Sequence, residues 1–159
     1  PFSGLTPMIK GVSIALMGGL GSVRGAVIAA IILGFNEALT TKFWNNVNEG
    51  KLVRPFCAEC ETSFFSPQIL CPVCQSENWE FKESSGNGTI YSFTIVHRPP
   101  ETDFPNPYII IDVEMEEGWR MYSRLIDCDP LSVQIDQSVK VVFREFQGRV
   151  LPFFQLREC

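Results

Sequence analysis

"CAECETSFFSPQILCPVC", residues 57–74, holds two Cys-x-x-Cys pairs separated by ten residues. Tetrahedral zinc takes four thiolates at about 2.3 Å each, and two such knuckles at the ends of adjacent hairpins offer four sulfurs to one point. Between the pairs, Ser66-Pro67 divides two short apolar pieces, so the spacing predicts a small hairpin there, with "ENWEFKE" (77–83) returning as a third ribbon strand. Other uses of paired cysteines fit less well. A thioredoxin-like pair opens a helix in a βαβ unit, which is missing here. Disulfides within each pair would close tiny loops and restrict the unfolded chain very little. Cys57, Cys60, Cys71 and Cys74 are therefore the expected zinc ligands. Four thiolates leave no position open for water, so the role is structural. Such a metal contributes roughly 10–16 kcal/mol of apparent folding free energy, which a ribbon with almost no core needs.

Upstream of the knuckles the composition changes near residue 40. Residues 9–39 are mostly Gly, Ala, Val, Ile and Leu, interrupted by Lys10 and Arg24. The cleanest apolar run, 25–35, would cover only about half of a bilayer as a helix, and a secretory signal would have a basic start and no central glycines. A phosphate loop over Gly18, Gly19, Gly21 and Gly25 lacks the second strand with an acidic tip that a dinucleotide fold requires. From Asn36, a potential cap, a helix is expected with Leu39, Phe43 and Val47 on one face and Trp44 beside them. Gly50 is its left-handed stop, and residues 51–56 lead as a strand into the first cysteine pair.

Downstream, "SSGNG" (84–88) is a turn cluster marking a boundary, so the chain divides into an apolar segment 1–39, a helix plus ribbon 40–83 and a β domain 84–159. Five strands are expected in the last: "TIYSFTIV", with Tyr91, Phe93 and Ile95 sharing a face; "YIIIDVEM"; "WRMYSRLI", where Trp119, Met121 and Leu125 alternate with Arg120, Tyr122 and Arg124; "SVKVVFREF"; and "RVLPFFQL" after a Gln147-Gly148 hairpin. Five short antiparallel strands with one longer connection suit an OB-type barrel better than a sandwich.

Among the 159 residues the formal net charge is -5, and without a Lys/Arg cluster a sequence-independent grip on nucleic acid is disfavoured. No catalytic set is evident. His97, the one histidine, reads as a strand-end residue, and Cys128 lies between two acids, which disfavours a thiolate nucleophile. Glu114, Glu116 and Glu117 read as a solvated hairpin tip, and Cys159 is terminal.

Taken in order, "TKFWNNVNEGKLVRPFCAEC", "FFSPQILCPVC", "GNGTIYSFTIVHRPP", "YIIIDVEMEEGWRMYSRLI" and "VKVVFREFQGRVLPFF" resemble the acyl-CoA-associated zinc-ribbon/OB-fold family catalogued as domain of unknown function thirty-five, over residues 41–154. The resemblance implies a mainly β chain with an N-terminal helix, a rubredoxin-like zinc ribbon and a five-stranded OB barrel. It also implies a cytoplasmic, non-catalytic subunit without activity alone, docked on a thiolase-like catalytic subunit in a hetero-oligomer and sharing a CoA thioester as ligand. Candidate CoA contacts are Arg98, Arg120 and Arg124, chosen as cations suited to phosphate or carboxylate. Candidate docking residues are Phe43, Trp44, Phe64 and Phe65. The alternative is a nucleic-acid-binding ribbon/OB module stacking bases on Tyr91, Phe93 and Tyr122. Residues 4–39 depart from the family and resemble a fragment of the permease of branched-chain amino-acid ABC transporters. One interrupted segment cannot form a transport path, so a membrane role is not expected.

Overall fold

The computed structural model describes residues 40–98 and 105–157, together with Val27 and Ala30. The other positions of segment 1–39, with its phosphate-loop, permease and helix-cap readings, and Cys159 lie outside the described residues. Two compact units divide the chain, Pro1–Lys42 and Phe43–Cys159, and both the ribbon and the barrel belong to the second. Among the described residues no helix is long and apolar enough to cross a membrane.

Residues 40–48 are helical and bury Phe43 and Val47, as the four-residue spacing requires. The helix ends in a Schellman arrangement. The Gly50 N–H donates to the Val47 carbonyl (2.9 Å) and the Lys51 N–H to that of Asn46 (2.9 Å), with Gly50 at φ +76°. Strand β1 (Val53–Cys57) follows and pairs antiparallel with β2 (Trp79–Glu83). The hairpin expected between the cysteine pairs is not formed. Ser63 makes an isolated bridge to Phe56 of β1, and the ribbon has two strands instead of three. Within residues 61–72 the backbone bonds instead to β1 and β2: the Cys57 N–H donates to the Thr62 carbonyl (3.0 Å), the Phe64 N–H to the Pro55 carbonyl (3.1 Å) and Trp79 Nε1 to the Ile69 carbonyl (3.1 Å).

Beyond the ribbon, β3 (Asn87–Val96), β4 (Tyr108–Met115), β5 (Arg120–Leu125), β6 (Ser138–Phe146) and β7 (Arg149–Leu156) close a barrel in the order β3-β4-β5-β7-β6. Four of its five contacts between neighbours are antiparallel. The exception is the parallel contact of β5 with β7 at Leu125 and Phe154, and β3 meets β6 through Asn87–Thr89 to complete the circle. Closure removes free sheet edges, the general remedy for exposed strand backbones. The two-residue Gln147-Gly148 turn has both φ values positive (51° and 76°), matching the twist of the flanking strands. A short 3₁₀ turn, Pro130–Ser132, joins β5 to β6 and is capped by Asp129, whose side chain accepts from the Leu131 N–H.

The alternation expected around β5 holds, with Trp119, Met121 and Leu125 buried, and β4 buries Ile109, Ile111, Val113 and Met115. In β3 the expected alternation does not hold. Ile90 pairs with Val113 and Ser92 with Asp112, so Tyr91 is the extra residue of a β-bulge. Ile90 is fully buried, Phe93 and Ile95 pack against the same core after the bulge, and Tyr91 is turned outward at 47% exposure. Phe43, Val47, Leu52 and Val53 share one hydrophobic cluster with these barrel residues, so the helix and the base of the ribbon are anchored on the barrel.

Candidate metal centre and adjoining surfaces

The first knuckle leaves the end of β1, where the Cys57 N–H donates to the Thr62 carbonyl (3.0 Å); the second turns on the Cys71 N–H donating to the Ser76 carbonyl (2.9 Å). These turns bring the sulfurs of Cys57, Cys60, Cys71 and Cys74 within 4.8 Å of one another. Cys57 Sγ lies 3.5 Å from Cys74 Sγ, and Cys60 Sγ lies 3.6 Å from Cys71 Sγ. Four sulfurs at about 2.3 Å from a tetrahedral centre stand about 3.8 Å apart, so the cluster fits zinc and is too wide to be a set of bonded disulfides.

The thiol chemistry points the same way. Thr62 holds the Cys60 thiol down to about 6, chiefly by its side-chain hydrogen bond. For Cys74, the Ser76 N–H favours the thiolate, yet desolvation and the neighbouring Cys57, Cys60 and Cys71 thiols push it up to about 12. Four thiols crowded at one point cannot all ionise without a cation, and zinc removes that conflict. Around the sulfurs lies a small apolar cluster of Cys57, Phe64 and Cys71 with Cys60 and Trp79 against it. The Phe64 and Trp79 rings meet edge-on at 5.7 Å, and Trp79 Nε1 donates to the Ile69 carbonyl at 3.1 Å.

The four aromatic residues named from the sequence separate into two kinds. Phe43 and Phe64 are 4% and 6% exposed and are used inside this chain, one under the helix and the other against the knuckles. Trp44 and Phe65 reach the surface. Phe65 packs on Phe43 (5.6 Å) and Trp119 (5.5 Å) and joins Trp44, Met121, Tyr122, Leu151 and Phe153 in lining an apolar groove of about 270 Å³. A larger cavity of about 500 Å³ opens at one end of the barrel, between the start of β4, the end of β5 and the β6–β7 hairpin. Tyr108, Arg124, Cys128, Arg144, Phe146 and Phe153 are among its walls.

Of the three arginines, Arg124 is the one that borders both of these cavities. Its guanidinium lies 5.0 Å from the Phe153 ring centroid, 5.1 Å from Phe146 and 5.8 Å from Tyr108, and burial lowers its pKa. Arg120 instead covers the Tyr91 ring at 3.4 Å and pairs with Glu114 at 3.9 Å. Arg98 is exposed beside His97, at the end of the described part of that loop. Of the aromatics considered for base stacking, Tyr91 has Arg120 on one face, Phe93 is half-buried and Tyr122 is 75% exposed.

Glu117 was expected to lie in a solvated tip, and it does more. Its carboxylate accepts from Ser84 Oγ (3.0 Å), the Ser85 N–H (2.6 Å) and Trp119 Nε1 (3.4 Å), tying the ribbon's exit to the β4–β5 hairpin. Burial works against its charge, but the Ser85 and Ser84 hydrogen bonds hold its pKa below the usual range. Nothing local in "EEG" distinguishes this carboxylate from Glu116; the partner lies 32 residues upstream.

These features define a zinc-ribbon protein with an OB-fold barrel. Residues 44–80 match the family model described as "ChsH2, rubredoxin-like zinc ribbon domain", and residues 81–144 match "ChsH2, C-terminal OB-fold domain". The chain belongs to the DUF35 family. It is 34% identical over 110 residues to a DUF35 domain-containing scaffold protein of Methanothermobacter thermautotrophicus, covering 67% of this chain and 82% of that one. It is 33% identical to a probable enoyl-CoA hydratase alpha subunit of Thermomonospora curvata over 71% of this chain, but spans only 36% of that subunit. Among solved structures, a chain of an Ltp2-ChsH2(DUF35) aldolase superposes with a TM-score of 0.68 at 31% identity, over 73% of this chain and 92% of that one.

Proposed function

We propose that this protein is a non-catalytic, cytoplasmic subunit of an acyl-CoA enzyme complex, held in shape by structural zinc and docked on a thiolase-like catalytic subunit. The observation that carries this reading is the apolar groove between helix, ribbon and barrel. Trp44, Phe65 and Tyr122 reach the surface along it, on a chain in which no nucleophile–base pair is seen among the described residues. Large aromatic side chains kept at the surface mark contact sites more often than chance exposure. The names of the relatives support it: one is called a scaffold protein, another a hydratase alpha subunit, and the similar solved chain comes from an aldolase assembly.

Within that complex we take the CoA thioester to be shared between subunits, with Arg124 the best supported of the three candidate arginines as its contact. Its guanidinium sits between an apolar groove and a wider cavity with aromatic walls, a setting suited to an apolar chain and an anionic group together. We take the chain to divide into a helix plus zinc ribbon over residues 40–83 and an OB-fold domain over residues 84–159. Co-expression with a thiolase-like acyl-CoA enzyme, followed by size-exclusion chromatography, tests the reading. Co-elution at a fixed ratio is expected, with acyl-CoA turnover in the complex and none in this chain alone. Separate elution from every acyl-CoA enzyme offered would end the proposal. A nucleic-acid module has less support, since the three stacking candidates do not form one open platform.

A further inference from the structure

The zinc end of the ribbon combines two features that the groove does not explain. Ile69, Leu70 and Val73 are 44%, 41% and 64% exposed on one five-residue stretch around buried Cys71. Isolated apolar residues on a surface are ordinary, but three on one rigid loop are not. The loop is held by the Trp79 Nε1–Ile69 carbonyl bond at 3.1 Å and by the Cys71–Ser76 turn, so presenting it to a partner orders little. Charge is the second feature. Between Pro55 and Phe81 the chain has Glu59, Glu61, Glu77 and Glu80 and no lysine, arginine or histidine. All four glutamates are exposed, and among the described residues only Glu80 pairs with a cation, Lys82 at 3.8 Å on the ribbon's inner end. Four thiolates on a divalent zinc ion add a further net negative charge at the same end.

We propose that this apolar, anionic tip is a second docking surface, whose occupant is an apolar patch bordered by lysine and arginine side chains on the catalytic subunit. This rests on the functional reading above and extends it from the groove to the opposite kind of contact, one steered by charge. The same charge argues against the other occupants. Phosphate-rich nucleic acid and anionic lipid would be repelled, and a second copy of this chain would set one acidic tip against another.

The test uses the full zinc-loaded chain and the catalytic subunit with which it co-elutes, followed by surface-based kinetics at several salt concentrations. Ile69→Ser/Val73→Ser is expected to weaken binding about 10- to 100-fold, mostly through faster dissociation. Glu59→Gln/Glu61→Gln/Glu77→Gln is expected to slow association several-fold at low salt, a difference that fades near 0.5 M salt as screening shortens to about 4 Å. Unchanged zinc content in both variants keeps the comparison clean, and the glutamine variant removes no buried contact. Wild-type kinetics from both variants would overturn the proposal while leaving the groove reading intact, as would faster association of the glutamine variant or a wild-type dimer dispersed by the serine changes. If the wild-type chain forms no complex with any acyl-CoA enzyme, the functional reading fails first and the tip proposal with it.

Discussion

Phe64 and Phe65 are adjacent in sequence and opposite in role, which makes Phe64→Ala the most discriminating single change. Phe64 is 6% exposed and packs with Cys57, Cys71 and Trp79, so its removal opens a cavity beside the zinc ligands. Burying and then truncating phenylalanine costs about 3–5 kcal/mol in a well-packed core. The ribbon cluster is small and one side of it can relax, so the lower value, about 3 kcal/mol, applies. The base of the ribbon is held by Leu52 and Val53 in the barrel core, so the loss falls on the knuckles and not on the whole fold. Because forming the knuckles and binding zinc are one process, that cost appears as weaker metal binding, about 150-fold at 1.4 kcal/mol per tenfold. Competition with a chromophoric chelator measures it directly. Phe65→Ala is the control: its ring lies on Phe43 and Trp119, away from the sulfurs, and zinc affinity should change by less than about threefold. Wild-type zinc affinity in the Phe64 variant, or an equal loss in the Phe65 variant, would falsify the division of labour drawn between the two rings.

Stripping zinc with a chelator should expose backbone amides of residues 57–79 to hydrogen exchange while those of β4 stay protected, since the barrel core contains no sulfur ligand; equal exposure of β4 would show that the barrel depends on the metal. Glu117→Gln should destabilise the chain by about 1–2 kcal/mol near neutral pH, because a charged acceptor of the Ser84 and Ser85 hydrogen bonds becomes a neutral one. The sign follows from the lowered pKa. Its stabilisation is complete above the ordinary glutamate pKa and is lost as pH falls through the depressed folded value, so denaturant midpoints of variant and wild type should converge in strong acid. A gap that widens on acidification would reverse the assignment. Gly88→Ala should cost about 1–3 kcal/mol, because its new Cβ would stand 2.6 Å from the Glu114 carbonyl oxygen, a backbone atom that cannot swing aside; an unchanged melting temperature would contradict the close β3–β4 approach.

Much of this architecture can be read locally. The Cys-x-x-Cys pairs announce the metal because ligand spacing is set within a turn. Gly50 announces the helix end because the left-handed cap needs no distant partner. Around β5, Trp119, Met121 and Leu125 set against Arg120, Tyr122 and Arg124 are enough to assign the inner face, and Gln147-Gly148 is enough to close the last hairpin.

What local spacing cannot carry is the choice that a partner strand or a packed ring makes. The bulge at Tyr91 exists because β3 must pair with β4 and β6 around a closed barrel, and that one extra residue moves Tyr91 out while keeping Phe93 and Ile95 in. The missing ribbon hairpin has the same origin, for β1 takes β2, more than twenty residues away, as its partner and leaves residues 61–72 to the knuckles. Phe64 goes inward and Phe65 to the helix–barrel groove, and Arg124 enters between two cavities while Arg120 stays outside on Tyr91. By itself the sequence determined the zinc site and the set of barrel strands, since both are encoded in short-range spacing. Only the tertiary structure decided which aromatic, cationic and acidic side chains are left for a partner, because burial depends on contacts between residues far apart in the chain.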